Sequence, residues 1–336
     1  MTKSTVGNPR IWNLEKVHEL YEMYRDIGGF TANLLVKAVD YALDMYLDED
    51  STVFFAFTAN LIATGLRTVI SEFVYKGFVD VIFTTGGTID HDIARSIGGR
   101  YYKGDFDVDD VALSEQGLHR LGNIFIPKED YGPLIEKFTH SVFDEFLNVN
   151  ERSITLGIRE SLWHVGSKIN DPNSILRAAY EKKIPIYSPG VVDSAFGTAL
   201  FTFRELARTR GKKLILDVLK DMKELSEIVY SLKTVGGLVL GGGISKHHLI
   251  WWAQFTGGLK YAIYITTAYE WDGSLSGART REAITWGKIK PRAKHVTVYG
   301  DATVIFPLFL LMLYDKLKDA GIKERKNKCF RHIINY

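Results

Sequence analysis

The sequence predicts an α/β fold of the Rossmann-like, doubly wound kind, a mainly parallel sheet with helices on both faces. Three observations carry this. Short runs of β-branched and aromatic residues recur along the chain, as expected of strands covered on both faces. Helix-length amphipathic segments separate most of them, the alternation that builds a parallel sheet. Several runs end in small residues, at Thr58-Ala59-Asn60, Thr84-Thr85-Gly86-Gly87, Gly241-Gly242-Gly243 and Thr266-Thr267-Ala268. At such strand ends an open α/β sheet brings its backbone amides close to a ligand.

In chain order, Ile11, Leu14, Val17, Leu20, Tyr21 and Tyr24 recur at helical spacing, and Gly28-Gly29 ends the pattern. Residues 1–30 are read as a helical extension to one domain over 31–336. A second helical stripe runs through Leu34, Leu35, Ala38, Ala42 and Met45 and closes at Asp48-Glu49-Asp50. Strands are expected at Val53–Phe57, Val79–Phe83, Ile184–Tyr187, Leu214–Leu216, Gly237–Leu240, Tyr261–Ile265 and Val296–Tyr299. Residues 99–133, with Tyr101-Tyr102 and the acids Asp105, Asp107, Asp109 and Asp110, read as an excursion from the sheet. The apolar stretch Val304–Tyr314 reads as a buried helix interrupted by Pro307. It falls short of the ~20 residues a bilayer span needs.

With 336 residues, 46% of them hydrophobic, the chain can bury a continuous core. A net charge of +2 gives no reason to expect a nucleic-acid surface. The basic tail Lys323-Glu324-Arg325-Lys326-Asn327-Lys328 reads as a solvated helix end or frayed terminus, ahead of a polyanion site. The one cysteine, Cys329, forms no intramolecular disulfide and no thiolate cluster, as in a reducing, cytoplasmic setting. Met1–Arg10 holds no signal-type apolar run, and no membrane association is expected. Neither a G-x-G-x-x-G fingerprint nor a P-loop is present. The small-residue loops alone therefore leave open whether the ligand is a dinucleotide.

Trp271-Asp272-Gly273-Ser274-Leu275-Ser276-Gly277-Ala278-Arg279, then Glu282, then Thr285-Trp286-Gly287-Lys288-Ile289, resembles the signature of deoxyhypusine synthases. Further blocks follow in family order: Thr58–Arg67, Thr84–Asp92, Leu121-Gly122-Asn123, Gly241–His248 and Asp301-Ala302-Thr303. The resemblance spans roughly residues 58–308 and is nearest the archaeal-type branch. It implies an NAD-binding domain, a homotetramer with active sites across a dimer interface, and no metal. The implied reaction takes spermidine, NAD and one lysine of translation initiation factor 5A. Spermidine is oxidised to an imine, an enzyme lysine captures the aminobutyl group, 1,3-diaminopropane leaves, and the factor's lysine takes the group before the retained NADH reduces it.

On this resemblance Lys288 is the nucleophile and His247 the general base. A lysine must be neutral to attack an imine, and an indole neighbour such as Trp286 disfavours the ammonium form. Read without the resemblance, W-G-K is a lysine ending a strand or helix at the surface. Likewise His247-His248 after three glycines is a helix N-terminal feature or half a metal site. A polyamine needs carboxylates at intervals and an aromatic wall, and the matching positions are Asp90, Gly273, Ser274, Glu282 and Trp286. For NAD they are Ala59, Asn60, Thr85, Gly86, Gly87, Asp193, Gly242, Thr267, Ala268, Asp301 and Ala302.

The match departs from the family at Thr198 and Leu275, where aspartates are common, and at His91, where many members carry glutamate. Asp272, Glu270 or Asp92 are candidates to compensate, and the donor is either spermidine or a related aminobutyl or guanidino polyamine. Two other functions are carried alongside: homospermidine-synthase-like transfer to a small amine, and a non-catalytic NAD-binding paralogue. Trp251-Trp252 either covers an interface or belongs to the core.

Overall fold

The computed structural model describes residues 16–149, 153–328, 330 and 333–334. The expectations for Met1–Arg10, Ile11, Leu14 and Cys329 lie outside these residues. The strands are β1 (Ser51–Phe57), β2 (Val81–Phe83), β3 (Tyr102–Lys103), β4 (Leu118–Leu121), β5 (Ile124–Pro127), β6 (Ser153–Leu156), β7 (Ile186–Tyr187), β8 (Lys213–Leu216), β9 (Thr234–Leu240), β10 (Leu259–Thr266) and β11 (Ile289–Tyr299). The chain divides into two compact units, residues 1–56 with 228–328, and residues 57–227 with 329–336.

In the first unit the strands stand in the order β11-β10-β9-β1. β10 runs parallel to both β9 and β11, with Ile263 opposite Leu238 and Val296. β1 is buried along its whole length, so Phe54 and Phe55 each contribute about 1.5–3 kcal/mol of hydrophobic stabilisation. The glycine pair in β9 explains how helices cover both faces. A Cβ on Gly236 would run into Met45, from the helix Phe30–Leu47, and one on Gly237 would strike Leu259 and crowd Leu249, from the helix Gly243–Ala253. Neighbouring strand residues point to opposite faces, so the two helices lie on opposite sides of the sheet. This is the doubly wound α/β arrangement that the sequence predicts.

The helix Val17–Ile27 packs on the helices Phe30–Leu47 and Ala302–Asp319 of the same unit. Tyr21 fixes it: its hydroxyl donates to Asp40 at 2.7 Å, and the Lys316 ammonium lies 3.6 Å from the centre of its ring. Pro307 does not interrupt the helix Ala302–Asp319, which continues through it. Burial of Phe306, Phe309, Met312 and Leu313 on one side outweighs the backbone hydrogen bond that proline forfeits. The opposite side, with Val304 and Leu311, is exposed. The basic tail is also tied down, because Arg325 donates to the Ser51 carbonyl at 3.0 Å and Lys328 to that of Glu49 at 2.7 Å. Backbone acceptors at the start of β1 hold it, which a composition-based reading as a frayed end does not anticipate.

In the second unit β2 and β7 pair in parallel, Ile82 opposite Ile186. The excursion over 99–133 is a small antiparallel sheet ordered β3-β5-β4, followed by the start of the helix Gly132–Val149. The Leu214–Leu216 run is a strand outside the main sheet: among the described residues β8 pairs, in parallel, only with β6. Ser153-Ile154-Thr155-Leu156 alternates polar and apolar residues, and only one face of this pair is covered.

A buried ion pair organises the second unit. Arg67 and Asp92 are both fully buried, with Arg67 Nε donating to Asp92 Oδ1 at 2.6 Å and Nη1 to Asp171 at 2.7 Å. The other Asp92 oxygen accepts from Ser174 Oγ and Leu176 N–H, each at 2.8 Å. This links the helices Leu66–Tyr75, Gly86–Ser96 and Ile175–Lys182. Among the described residues no helix is long and apolar enough to cross a membrane. Replacing Arg67 with methionine leaves the Asp92 carboxylate buried without its cation. We expect a loss of about 3–5 kcal/mol in chemical denaturation, and an unchanged unfolding midpoint would contradict this reading.

Candidate active site

Lys288 is held by its backbone before its side chain matters. The short helix Glu282–Thr285 ends at Trp286, and Gly287 then takes a φ of 69°, a left-handed conformation that a side chain resists. That turn returns the Lys288 N–H to the Ala283 carbonyl at 3.0 Å. The Lys288 carbonyl accepts from Leu259 N–H, also at 3.0 Å, at the start of β10. β11 begins at the next residue. Lys288 therefore sits where a helix end meets the sheet, with its side chain only 8% exposed.

Three rings surround its amine. Nζ lies 3.4 Å from His247 Nε2, 5.7 Å from the centre of the Trp251 ring and 5.3 Å from that of Trp286. His247 and Trp251 are four apart on the helix Gly243–Ala253 and stack at 5.8 Å and 29°. Two indoles attract a cation, by about 0.5–1 kcal/mol each at partly exposed sites. Burial opposes this, and its effect prevails: the Lys288 pKa is held below the ordinary lysine value. Burial, and then the Lys288 charge, lower the His247 pKa, so the imidazole is neutral at pH 7 and one ring nitrogen can accept a proton.

A second lysine stands beside the first. Lys246 is 1% exposed, and burial lowers its pKa to about 8, opposed by the Glu282 charge. By pKa alone it would be the better nucleophile. Geometry rules otherwise, because its Nζ donates to the Leu275 and Ala278 carbonyls at 2.7 and 2.6 Å and lies 4.5 Å from the centre of the Tyr264 ring. Lys288, which faces an acceptor nitrogen and an exposed indole, is the available amine.

The other expected residues of the first unit lie in turns and at helix ends. Glu282 is exposed on the short helix before Lys288. Gly273 takes a φ of 74° in open space, and Ser274, also exposed, donates its N–H to Asp272 at 2.7 Å. Gly242 starts the histidine-bearing helix and leaves no room for a Cβ against Ser276. Thr267 is exposed, and the Ala268 N–H reaches back to Thr266 Oγ1. Asp301 caps the helix Ala302–Asp319 by accepting from Thr303 N–H at 2.8 Å, and Ala302 is buried behind it. Of the compensating acids, Glu270 is engaged by Arg279 at 2.5 Å and by Arg281 at 3.6 Å, while Asp272 serves its own turn.

In the second unit the expected loops come together by close packing. A Cβ on Gly86 would strike Ser194, and one on Gly87 would strike Ala59. The helix Gly86–Ser96, whose N-cap is Thr85, carries no side-chain cap. Asn60 and Asp193 are exposed beside these contacts, as is Thr198. Asp90 differs from the expectation of a substrate-facing carboxylate. It is 2% exposed, and its oxygens accept from Ala195 N–H, Phe196 N–H and Tyr131 Oη at 2.8–2.9 Å. It caps the helix Ala195–Thr209, while burial holds its pKa above the usual carboxylate value. Asp92 is likewise saturated by Arg67, Ser174 and Leu176 and offers no compensating charge. His91 lies 2.8 Å from Tyr101 Oη, and burial drives its pKa down to about 4, so it carries no charge at neutral pH.

Sequence reasoning did not assign Trp251, Lys246 or Ser276 to the site. The pair Trp251-Trp252 divides, with Trp251 42% exposed beside His247 and Trp252 buried. The four-residue spacing from His247 was the available signal. His248 is half-buried, with its pKa lowered to about 4, and packs edge-on against Trp252. Among the described residues no group of three or more His, Cys, Asp or Glu side chains is arranged to hold a metal ion.

Comparison with known proteins identifies the family. The family model of deoxyhypusine synthase matches residues 19–313. A protein of Ignicoccus hospitalis curated as a probable deoxyhypusine synthase is 50% identical over 318 residues, covering 95% of this chain and 98% of its own. A Sulfolobus acidocaldarius relative so named is 49% identical over 305 residues, covering 91% and 95%. A crystal structure from Entamoeba histolytica assigned to the same enzyme superimposes with a TM-score of 0.62 over 96% of this chain and 99% of that one. At 20% identity it attests the fold alone. The chain belongs to the deoxyhypusine synthase family, a family of transferases.

Proposed function

We propose that the chain transfers the aminobutyl group of spermidine to a lysine of translation initiation factor 5A, with Lys288 as the covalent carrier. The observation that carries this is the Lys288 amine, 3.4 Å from a neutral imidazole and flanked by two indoles. An amine so placed is a nucleophile for an imine carbon. His247 takes the proton that the attacking amine sheds and returns it to the departing amine. Trp251 and Trp286 wall two sides of the amine and narrow the approach of water to an imine on Lys288. Glu282, Gly273 and Ser274 are proposed to hold a donor amine. Asp90 acts at one remove, by fixing the start of the helix Ala195–Thr209.

The residues expected to hold NAD suit it. In the second unit the Gly86–Ser96 helix begins with two glycines and no side-chain cap, which leaves amides open to a phosphate. Exposed Asn60 and Asp193 offer acceptors beside it. In the first unit Asp301 uses one oxygen on Thr303 and keeps another for a hydroxyl. When bound, NAD supplies the hydride acceptor for the donor amine and the reductant for the final imine. We further propose a cytoplasmic homotetramer, with exposed Trp271 and Phe255 among the apolar surface to be covered.

Mass spectrometry of factor 5A after incubation with this protein, NAD and spermidine tests the reading. Addition of one aminobutyl group to one lysine is expected. Transfer only to a small amine such as putrescine would favour a homospermidine-synthase-like enzyme, and no transfer from any polyamine would refute catalysis. His247→Ala should slow transfer by roughly 10²–10⁴-fold, the usual contribution of a positioned base.

The Lys288 pKa lies below the lysine value of 10.5. The reactive neutral amine is thus populated above that lowered pKa and lost as pH falls through it. In single-turnover measurements the rate should rise with pH to a midpoint below 10.5. Trp286→Ala, which admits water to the amine, should move the midpoint upward. A midpoint unmoved by that substitution would show that the indole does not tune Lys288.

A further inference from the structure

We propose that Lys246 is a positioning residue, whose ammonium clamps the loop 273–278 to the helix that carries His247 and thereby sets where the polyamine lies against Lys288. The inference rests on the reading of this site as a polyamine transferase. Lys246 and His247 are neighbours on one helix and face different ways. His247 turns to Lys288, whereas Lys246 turns to the carbonyls of Leu275 and Ala278.

The loop cannot anchor itself by burial. Gly273, Ser274, Ser276, Gly277 and Ala278 present almost no apolar area, and only Leu275 has a sizeable side chain. Polar contacts to the first turn of the helix hold it instead. Ser276 Oγ accepts from Gly243 N–H at 3.0 Å, and the Lys246 amine takes two carbonyls within a span of four residues. Gly242 and Gly277 permit this approach, since a Cβ on either would collide with Ser276 or with the Tyr269 carbonyl. Burying an ammonium costs several kcal/mol unless strong partners replace water, and a leucine or methionine would fill the same space without that cost. The ammonium contributes donors that those residues lack, in charge-assisted bonds to carbonyls whose placement fixes Gly273 and Ser274.

The test compares the full-length protein with Lys246→Met, which keeps the stem and removes the donors, and Lys246→Arg, which restores charge and donors. Two readouts are taken, the KM for spermidine against the turnover rate at saturation, and amide hydrogen exchange over 273–279. Lys246→Met is expected to raise KM roughly tenfold or more, with a smaller change in the saturated rate, as a misplaced binding group does. Exchange across the loop should rise in the same variant, and Lys246→Arg should recover part of both effects.

Unchanged loop exchange in Lys246→Met would overturn the proposal whatever the activity does, and so would a lost saturated rate at unchanged KM. If the parent protein itself transfers nothing from spermidine, the enzymatic reading fails, while the exchange comparison still decides whether Lys246 clamps the loop. Should Lys246→Met not fold, Lys246→Gln, whose shorter amide reaches at most one carbonyl, carries the same comparison with the same deciding outcomes.

Discussion

A nucleophilic lysine has to satisfy two demands that oppose each other. It must be dry enough to give up its proton and open enough to be reached. Lys288 meets both because its backbone is pinned between a helix end and β10, while its side chain runs between rings rather than into packed aliphatic core. Full burial would lower its pKa further but remove access. Lys246 illustrates that outcome one residue from His247, with a lower pKa and an amine committed to two carbonyls. On the proposed function, access rather than the size of the shift selects Lys288 over Lys246.

The second unit solves a different problem, holding several loops still at strand ends without large side chains. Gly86 against Ser194 and Gly87 against Ala59 bring backbones into direct contact. Asp90 and Asp92, two positions apart on one helix, are both buried and saturated, one by backbone amides of the helix Ala195–Thr209 and one by Arg67 and its neighbours. Such carboxylates are costly to unpair. Their oxygens are engaged by these internal donors and offer no free carboxylate to a ligand.

Much of this was legible in the sequence. The apolar runs located β1, β2, β7, β9 and β10, because strands buried on both faces leave a continuous signature. β6 and the polar first half of β11 left none, since their exposed faces carry polar residues. Leu214–Leu216 had the right composition but only one covered face, so it stands outside the main sheet. Pro307 and the basic tail were misread for a common reason: tertiary packing and backbone acceptors hold segments that local propensity would release.

Within the site, Lys288, His247 and Trp286 stand together as the W-G-K and Gly-rich blocks implied. Asp90 did not face outward, because a carboxylate near three donors is drawn to them whatever its motif suggests. The roles of Trp251 and Lys246 depend on which side of a helix faces the loop 273–278, and one-dimensional spacing gives that only once the fold is known.

The central claim is that Lys288 carries the transferred group. Borohydride reduction of the protein during reaction with NAD and isotopically labelled spermidine, followed by peptide mapping, tests it directly. Label is expected on the peptide containing Lys288 and is expected to be absent from Lys288→Ala. Label on Lys246 instead, or undiminished transfer by Lys288→Ala, would contradict it.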